Sequence, residues 1–225
     1  MARPTLVYPG SFSPVTNAHI NLCLKTVCDA LNPNEVIISP VNSRYKKFGL
    51  MPDDIRVELL MNHLKALEDE LPNVYIDEYE INQLAAVRTL DYLQHLEICG
   101  VREITLLLGA DCVLTMATPG VWVPFQVKEL LSRFKIAVLE RPDQNVTKER
   151  ILDAFANCEW TKAGLDSLIF IDVDKDSLKK LGWISSSEVR CRAEKGEDFS
   201  EMVEASNIDL IRDYCEKRKI YSINE

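Results

Sequence analysis

Residues 103–108 read Glu-Ile-Thr-Leu-Leu-Leu and run on into Gly109-Ala110. A segment this apolar keeps no polar face for water, so it reads as a strand covered on both sides, as strands of parallel sheets are. Parallel neighbours need long crossovers, and the flanking sequence supplies them. Upstream, residues 5–8 form a short strand broken by Pro9-Gly10. Residues 18–31 then place Ile20, Cys23, Leu24, Val27, Cys28 and Leu31 at helical spacing and stop at Asn32-Pro33-Asn34. A strand at 35–41, a polar basic loop at 42–50 and a helix from about Pro52 follow, with Ile55, Leu59, Leu60 and Leu64 inward. Next come a strand at 74–79 and a helix at 83–96. Downstream the spacing predicts helix 123–132, strand 135–140, helix 147–156, strand 167–173, and closing helices at 187–194 and 207–218. Strands alternating with helices imply right-handed crossovers. The fold class expected is therefore α/β: a Rossmann-like, doubly wound parallel sheet. Residues 1–225 read as one domain, with a core over 1–183 and a small C-terminal helical cap over 184–225.

Composition narrows the function classes. The chain has 225 residues, 47% hydrophobic and 27% charged, with a formal net charge of −9. That acidity argues against a protein that coats nucleic acid, and an anionic substrate would need a locally basic pocket. No apolar stretch reaches the length of a membrane span, and the N-terminus passes directly into a strand without a leader pattern. The expectation is a soluble intracellular protein, cytoplasmic or nuclear, with no membrane partner; the sequence is compatible with a monomer or a homo-oligomer. The seven cysteines are scattered without a C-x-x-C pair and read as reduced thiols, mostly in the core. His19, His63 and His95 do not pair with them at zinc spacing, so no protein-held metal is expected. The Asn145-Val-Thr147 sequon reads as an unused surface loop.

Two segments carry the chemistry. Residues 8–20 read Tyr-Pro-Gly-Ser-Phe-Ser-Pro-Val-Thr-Asn-Ala-His-Ile, and residues 184–190 read Ile-Ser-Ser-Ser-Glu-Val-Arg. Gly10, Ser11 and Phe12 leave a strand with little bulk, so backbone N–H groups can face an anion. Thr16 and Asn17 are candidate helix caps, which puts His19 in the first turn, facing the strand ends. Ser185, Ser186 and Ser187 open a helix whose N-terminal N–H groups and dipole favour phosphate, and Arg190 lies one turn on with a permanently charged fork. Taken singly, each is more often a serine cap or a satisfied boundary histidine. Lys46 and Lys47 are the basic pair an acidic protein needs for an anionic substrate, although paired loop lysines are usually just solvated. Trp122, after Pro119-Gly120, is expected partly exposed, either stacking on a ring or covering the core.

Together the two segments resemble the signatures of the nucleotidyltransferase superfamily, written T/H-x-x-H and I-S-S-T-x-x-R, in the form found in eukaryotic-type nicotinamide/nicotinic acid mononucleotide adenylyltransferases. Tyr45-Lys46-Lys47-x-Gly49-Leu50-x-Pro52, Gly109-Ala110-Asp111, Pro119-Gly-Val-Trp122, Arg141 and Lys219-Ile-Tyr-Ser lie between and beyond them in the family's order. The resemblance covers nearly the whole chain. It implies that His19, Arg190 and Lys46 are catalytic and that ATP meets Gly10, Ser11, Phe12, His19, Gly109, Asp111, Ser185, Ser186, Ser187 and Arg190. It also implies that the mononucleotide meets Ser11, Phe12, Lys46, Thr89, Trp122 and Arg141. Asp111 on a ribose hydroxyl competes with Asp111 as a plain helix cap. This chain departs from the family pattern at Ala86, where a second tryptophan is common, at Gly182, where asparagine is expected, and at Ser187, which replaces threonine but keeps the hydroxyl.

The reaction so implied moves AMP from ATP to nicotinamide or nicotinate mononucleotide. Mg²⁺ would be bound through substrate phosphates and waters, so no protein ligand is named. The alternatives are transfer to another phosphorylated acceptor, such as phosphopantetheine or a polyol phosphate, and a non-catalytic nucleotide sensor or chaperone-like protein on the same fold. A serine hydrolase is disfavoured because Gly-x-Ser-x-Gly is missing.

Overall fold

The structure, a computed structural model, describes residues 3–44, 49–139 and 146–222. Six parallel strands form its frame: β1 (Thr5–Gly10), β2 (Glu35–Pro40), β3 (Asn73–Ile76), β4 (Ile104–Gly109), β5 (Lys135–Leu139) and β6 (Leu168–Ile171). Their order across the sheet is β3-β2-β1-β4-β5-β6, so β1 and β4 are neighbours where the chain reverses its direction of travel. This is the strand order of the doubly wound dinucleotide fold.

The alternation of side chains shows why β4 is so apolar. Leu107 enters one core with Leu6, Tyr8, Val36 and Ile38. Leu106 and Leu108 enter the other, with Val7, Ile37 and Val138. A fully buried leucine stabilises by roughly 1.5–3 kcal/mol, and all three of these leucines are buried. Each core lies between the sheet and the helices on one of its faces.

Helix α1 (Lys25–Leu31) is the continuation of a π-helical stretch, Ala18–Leu24. Then come α2 (Asp53–Ala66), α3 (Thr89–Ile98), α4 (Ala110–Thr115), α5 (Pro124–Arg133), α6 (Lys148–Ala156), α7 (Lys175–Leu181), α8 (Ser186–Lys195) and α9 (Ile208–Ser222). Val189 and Ala193 of α8 and Ile211 and Cys215 of α9 share the core of Leu6 and Val36. None of the seven cysteines forms a disulfide, and Cys23, Cys28, Cys158 and Cys215 are buried.

Several expectations from the sequence are corrected. Helix α3 starts at Thr89, not near Gln83, because Asn42 takes the carbonyls of Glu80, Ile81 and Gln83 with its amide and holds that stretch as a loop. The third strand ends at Ile76 because Asp77 turns the chain, its carboxylate accepting from the N–H of Tyr79. Helix α7 was not anticipated, and α4 was foreseen only as a helix for Asp111 to cap; six or seven residues span barely two turns and carry little periodic signal. On α2 the fully buried stripe is Arg56, Leu59, Leu60 and His63, with Ile55 and Leu64 only half-buried.

Candidate active site

A cavity of about 530 Å³ opens at the carboxyl ends of β1, β2 and β4. That is the reversal point, where such sheets leave a crevice between outgoing loops. Its lining includes Gly10, Ser11, Phe12, His19, Thr89, Gly109, Asp111, Trp122, Ser185, Ser186, Ser187 and Arg190. The segments picked from the two ends of the chain therefore meet. Lys46 and Arg141 fall outside the described residues, as do Tyr45, Lys47 and Asn145, and so do the side chains of 219–222.

The turn after β1 is built on Phe12. Its backbone is left-handed, with φ 43°, an uncommon conformation for a bulky residue and one held by its surroundings. The ring is buried and meets Tyr8 edge-on at 5.2 Å and His19 at 5.5 Å. A Cβ on Gly10 would stand 2.7 Å from that ring, so only glycine lets the strand pass beneath it. Gly10→Ala should therefore displace Phe12 and, through it, His19, at a cost of about 1–3 kcal/mol in a thermal melt. An unchanged melting temperature would mean the ring moves aside freely.

His19 is oriented by Thr16. The Thr16 hydroxyl lies 2.7 Å from Nδ1, and the Thr16 backbone N–H donates to the same atom at 3.2 Å. Nδ1 is thus an acceptor, and the neutral ring carries its proton on Nε2. This changes the capping expectation. Thr16 serves a side chain rather than the helix backbone, and Asn17 donates instead to the carbonyl of Glu201. The helix starts with a π-helical turn, a distortion frequent at functional sites.

On the facing wall, Ser185 is the cap of α8, its hydroxyl accepting from the N–H of Glu188 at 3.1 Å. Ser186 donates its hydroxyl to the carbonyl of Pro14 at 2.8 Å. Arg190 donates to the carbonyl of Ser13 and, at 3.3 Å, to the hydroxyl of Ser187. These bonds close the two distant segments on each other. Burial pulls the Arg190 pKa down, with nearby Arg218 acting the same way, yet a guanidinium stays charged at any physiological pH. Gly49, at φ 76°, lies against this guanidinium, 3.5 Å from where its Cβ would stand.

The remaining predicted residues are spread along the cavity. Thr89 is the first residue of α3. Trp122 is half-buried and donates from its indole nitrogen to Thr115 at 2.9 Å, which fixes its ring. Asp111 is exposed in the first turn of α4, and Gly109 is that helix's cap position. A Cβ on Gly109 would meet the Asp111 carboxylate at 2.6 Å, so the glycine makes room for the acid. Ala86 is exposed on the loop before α3 and does not line the cavity. Gly182 ends α7 in right-handed geometry.

Sequence reasoning missed two residues here. Glu80 and Tyr92 line the same cavity although buried. Arg56 lies behind it, fully buried, donating to the carbonyls of Met51 (3.1 Å), Ser11 (2.7 Å) and Val41 (2.5 Å) and to Asp53. Its one available signal was a charge on the inward stripe of α2.

The sequence model of the cytidylyltransferase-like family matches residues 7–192. The chain belongs to that family. Within it the chain is similar to the nicotinamide/nicotinic acid mononucleotide adenylyltransferase of Arabidopsis thaliana, 28% identical over 227 residues, covering 93% of this chain and 87% of the relative. It is also similar to a probable nicotinate-nucleotide adenylyltransferase of Chlorobium phaeobacteroides, 27% identical over 201 residues, covering 86% and 89%. Among solved structures of the family's fold, the Plasmodium falciparum nicotinic acid mononucleotide adenylyltransferase complexed with NaAD superposes with a TM-score of 0.67. It shares 20% identity and is covered over 98% of both chains, a likeness of fold.

Proposed function

We propose that this cavity transfers AMP from ATP to nicotinamide or nicotinate mononucleotide, releasing pyrophosphate. The observation that supports it most is that His19 and Arg190, from opposite ends of the chain, line one cavity at the sheet's reversal point. In the reaction a 5′-phosphate oxygen of the mononucleotide bonds to the α-phosphorus of ATP while the bond to the bridging oxygen breaks. The electron pair leaves on pyrophosphate. The nucleophile is already ionised, so no general base is needed. What remains is to align two anions and to offset the charge that develops between them.

On this reading His19 donates from Nε2 to an α- or β-phosphate oxygen, the Thr16 bonds to Nδ1 holding that tautomer. Arg190 takes the leaving pyrophosphate together with backbone N–H groups at the start of α8, where the helix dipole also favours negative charge. The Ser186 hydroxyl is engaged with Pro14, so its contribution is its N–H. Thr89 and Trp122 border the pyridine end, Gly109 and Asp111 the adenosine ribose, and Ser11 and Phe12 the mononucleotide phosphate. Lys46 and Arg141 join that set by resemblance. Magnesium bound through the nucleotide's phosphates would supply charge neutralisation, since this ion favours phosphate oxygens and retained waters. Among the described residues, no group of three or more His, Cys, Asp or Glu is arranged to hold a metal. Among them too, no helix is long and apolar enough to cross a membrane.

The test is incubation with ATP, Mg²⁺ and each mononucleotide in turn, following pyrophosphate release and dinucleotide formation. Product with at least one of them is expected; none with either removes the assignment and leaves the fold intact.

A further inference from the structure

Glu80 is a carboxylic acid with 5% of its surface exposed, and it contributes to the wall of the cavity beside Val87, Thr89 and Tyr92. Oε1 accepts from the Ser39 hydroxyl at 2.8 Å. The backbone carbonyl of Glu80 is tied to Asn42 at 3.0 Å, which pins the segment against the end of β2. A carboxylate with one neutral hydrogen-bond donor is poorly compensated for so dry a place. The mechanism above gives it no task. Arg56 and Asp77 are the charged groups near it, and Tyr92 faces it from α3 with its hydroxyl donated to Asp77 at 2.8 Å. Asp111, Cys112, His19 and Arg190 also line the cavity.

We propose that Glu80 determines which form of the pyridine mononucleotide the site accepts, its carboxylate taking a hydrogen bond from the amide of one form and opposing the carboxylate of the other. The inference rests on the adenylyltransferase reading, in which Thr89 and Trp122 border the pyridine. The two ligands are nearly identical in shape, so a pocket can separate them only by charge and by hydrogen-bond direction. A carbonyl oxygen is common to both and discriminates nothing. The NH₂ of the amide is a donor that the acid lacks, and it needs an acceptor. Ionised Glu80 is such an acceptor and, being itself almost fully buried, a repulsive neighbour for a second carboxylate.

The selectivity is also expected to depend on pH. Burial raises the Glu80 carboxyl to about 7, against the lowering effects of Ser39 and Arg56. Above that pH the ionised form favours the amide. Below it the protonated form is a donor and tolerates the acid. The 5′-phosphate shared by both mononucleotides titrates alike in each, so it cancels in the ratio of their kcat/KM values.

The experiment measures that ratio, amide over acid, for the wild type and for Glu80→Gln. Glutamine keeps an acceptor for Ser39 and the side-chain size but cannot ionise. The ratio should fall by about tenfold or more, the scale of one hydrogen bond to a charged partner. In the wild type it should rise between about pH 6 and pH 8, and in the variant that slope should vanish. Should Glu80→Gln fail to accumulate as folded protein, the wild-type slope decides alone. Turnover with a ratio that is level across this range, or unchanged within twofold by the substitution, overturns the role of Glu80 and leaves the reaction standing. No product from either mononucleotide in the wild type removes both.

Discussion

His19→Ala should lower kcat by about 10²- to 10³-fold, the usual consequence of removing one preorganised donor from a developing anion. The size follows from geometry. The ring is held by Phe12 on one side and by two bonds from Thr16 to Nδ1, so its other nitrogen is aimed before substrate arrives and no reorganisation is needed at the moment of reaction. KM for either substrate should move much less than kcat, because the charge that Nε2 meets is greatest in the transition state. The melting temperature should stay close to that of the wild type, since His19 is only half-buried and the helix it starts is held by Ile20, Leu22, Cys23 and Leu24. Steady-state pyrophosphate release checks the first expectation and a thermal melt the second. A variant within threefold of wild-type turnover would take His19 out of the chemistry.

Arg56→Met should have the largest effect on stability. The guanidinium is fully buried and its hydrogen bonds reach three backbone carbonyls and the Asp53 carboxylate. Methionine fills much of the same volume but donates nothing, leaving the carbonyls of Ser11, Val41 and Met51 and the Asp53 carboxylate without this partner. Breaking a buried ionic network from one side costs about 3–5 kcal/mol, or a fall of roughly 6–20 °C in melting temperature for a chain of this size. Arg56→Lys should lose less but not recover the wild type, because a point ammonium cannot span carbonyls from three segments. The carbonyls of Ser11 and Val41 belong to the turns leaving β1 and β2, so the surviving folded fraction should also bind mononucleotide more weakly. A methionine variant that melts within 2 °C of the wild type would show that the network adds nothing net.

Both effects bear on how much of this protein could be read before its structure. Residues 104–109 announced a parallel strand because burial on both faces demands an unbroken apolar run, and Leu106, Leu107 and Leu108 do divide between the two cores. The helices near 53–66, 124–133 and 148–156 were visible through spacing, since a stripe of apolar residues is a local property of the chain. Gly10, His19, Ser185 and Arg190 could be singled out because strand exit, turn and helix start impose residue types on contiguous positions, but the roles assigned to them came from the family resemblance. Glu80, Tyr92 and Arg56 were not. Nothing within a few residues of Glu80 says that it is buried or that Ser39 will meet it; those facts arise when β2, the loop after β3 and α3 pack together. Likewise the start of α3 was misjudged because Asn42, far away in the chain, captures the carbonyls of residues 80, 81 and 83.

The sequence by itself determined the alternation of strands with helices, the parallel sense of the sheet, and the residue types at the strand exit after residue 10 and the helix start at residue 186. Each of these is set by neighbours within a turn or two of chain. The tertiary structure alone decided that His19 and Arg190 share a cavity, which nitrogen of the imidazole carries the proton, and which acids and bases lie out of water. Those are properties of distance and dielectric between segments remote in sequence, and no local pattern encodes them.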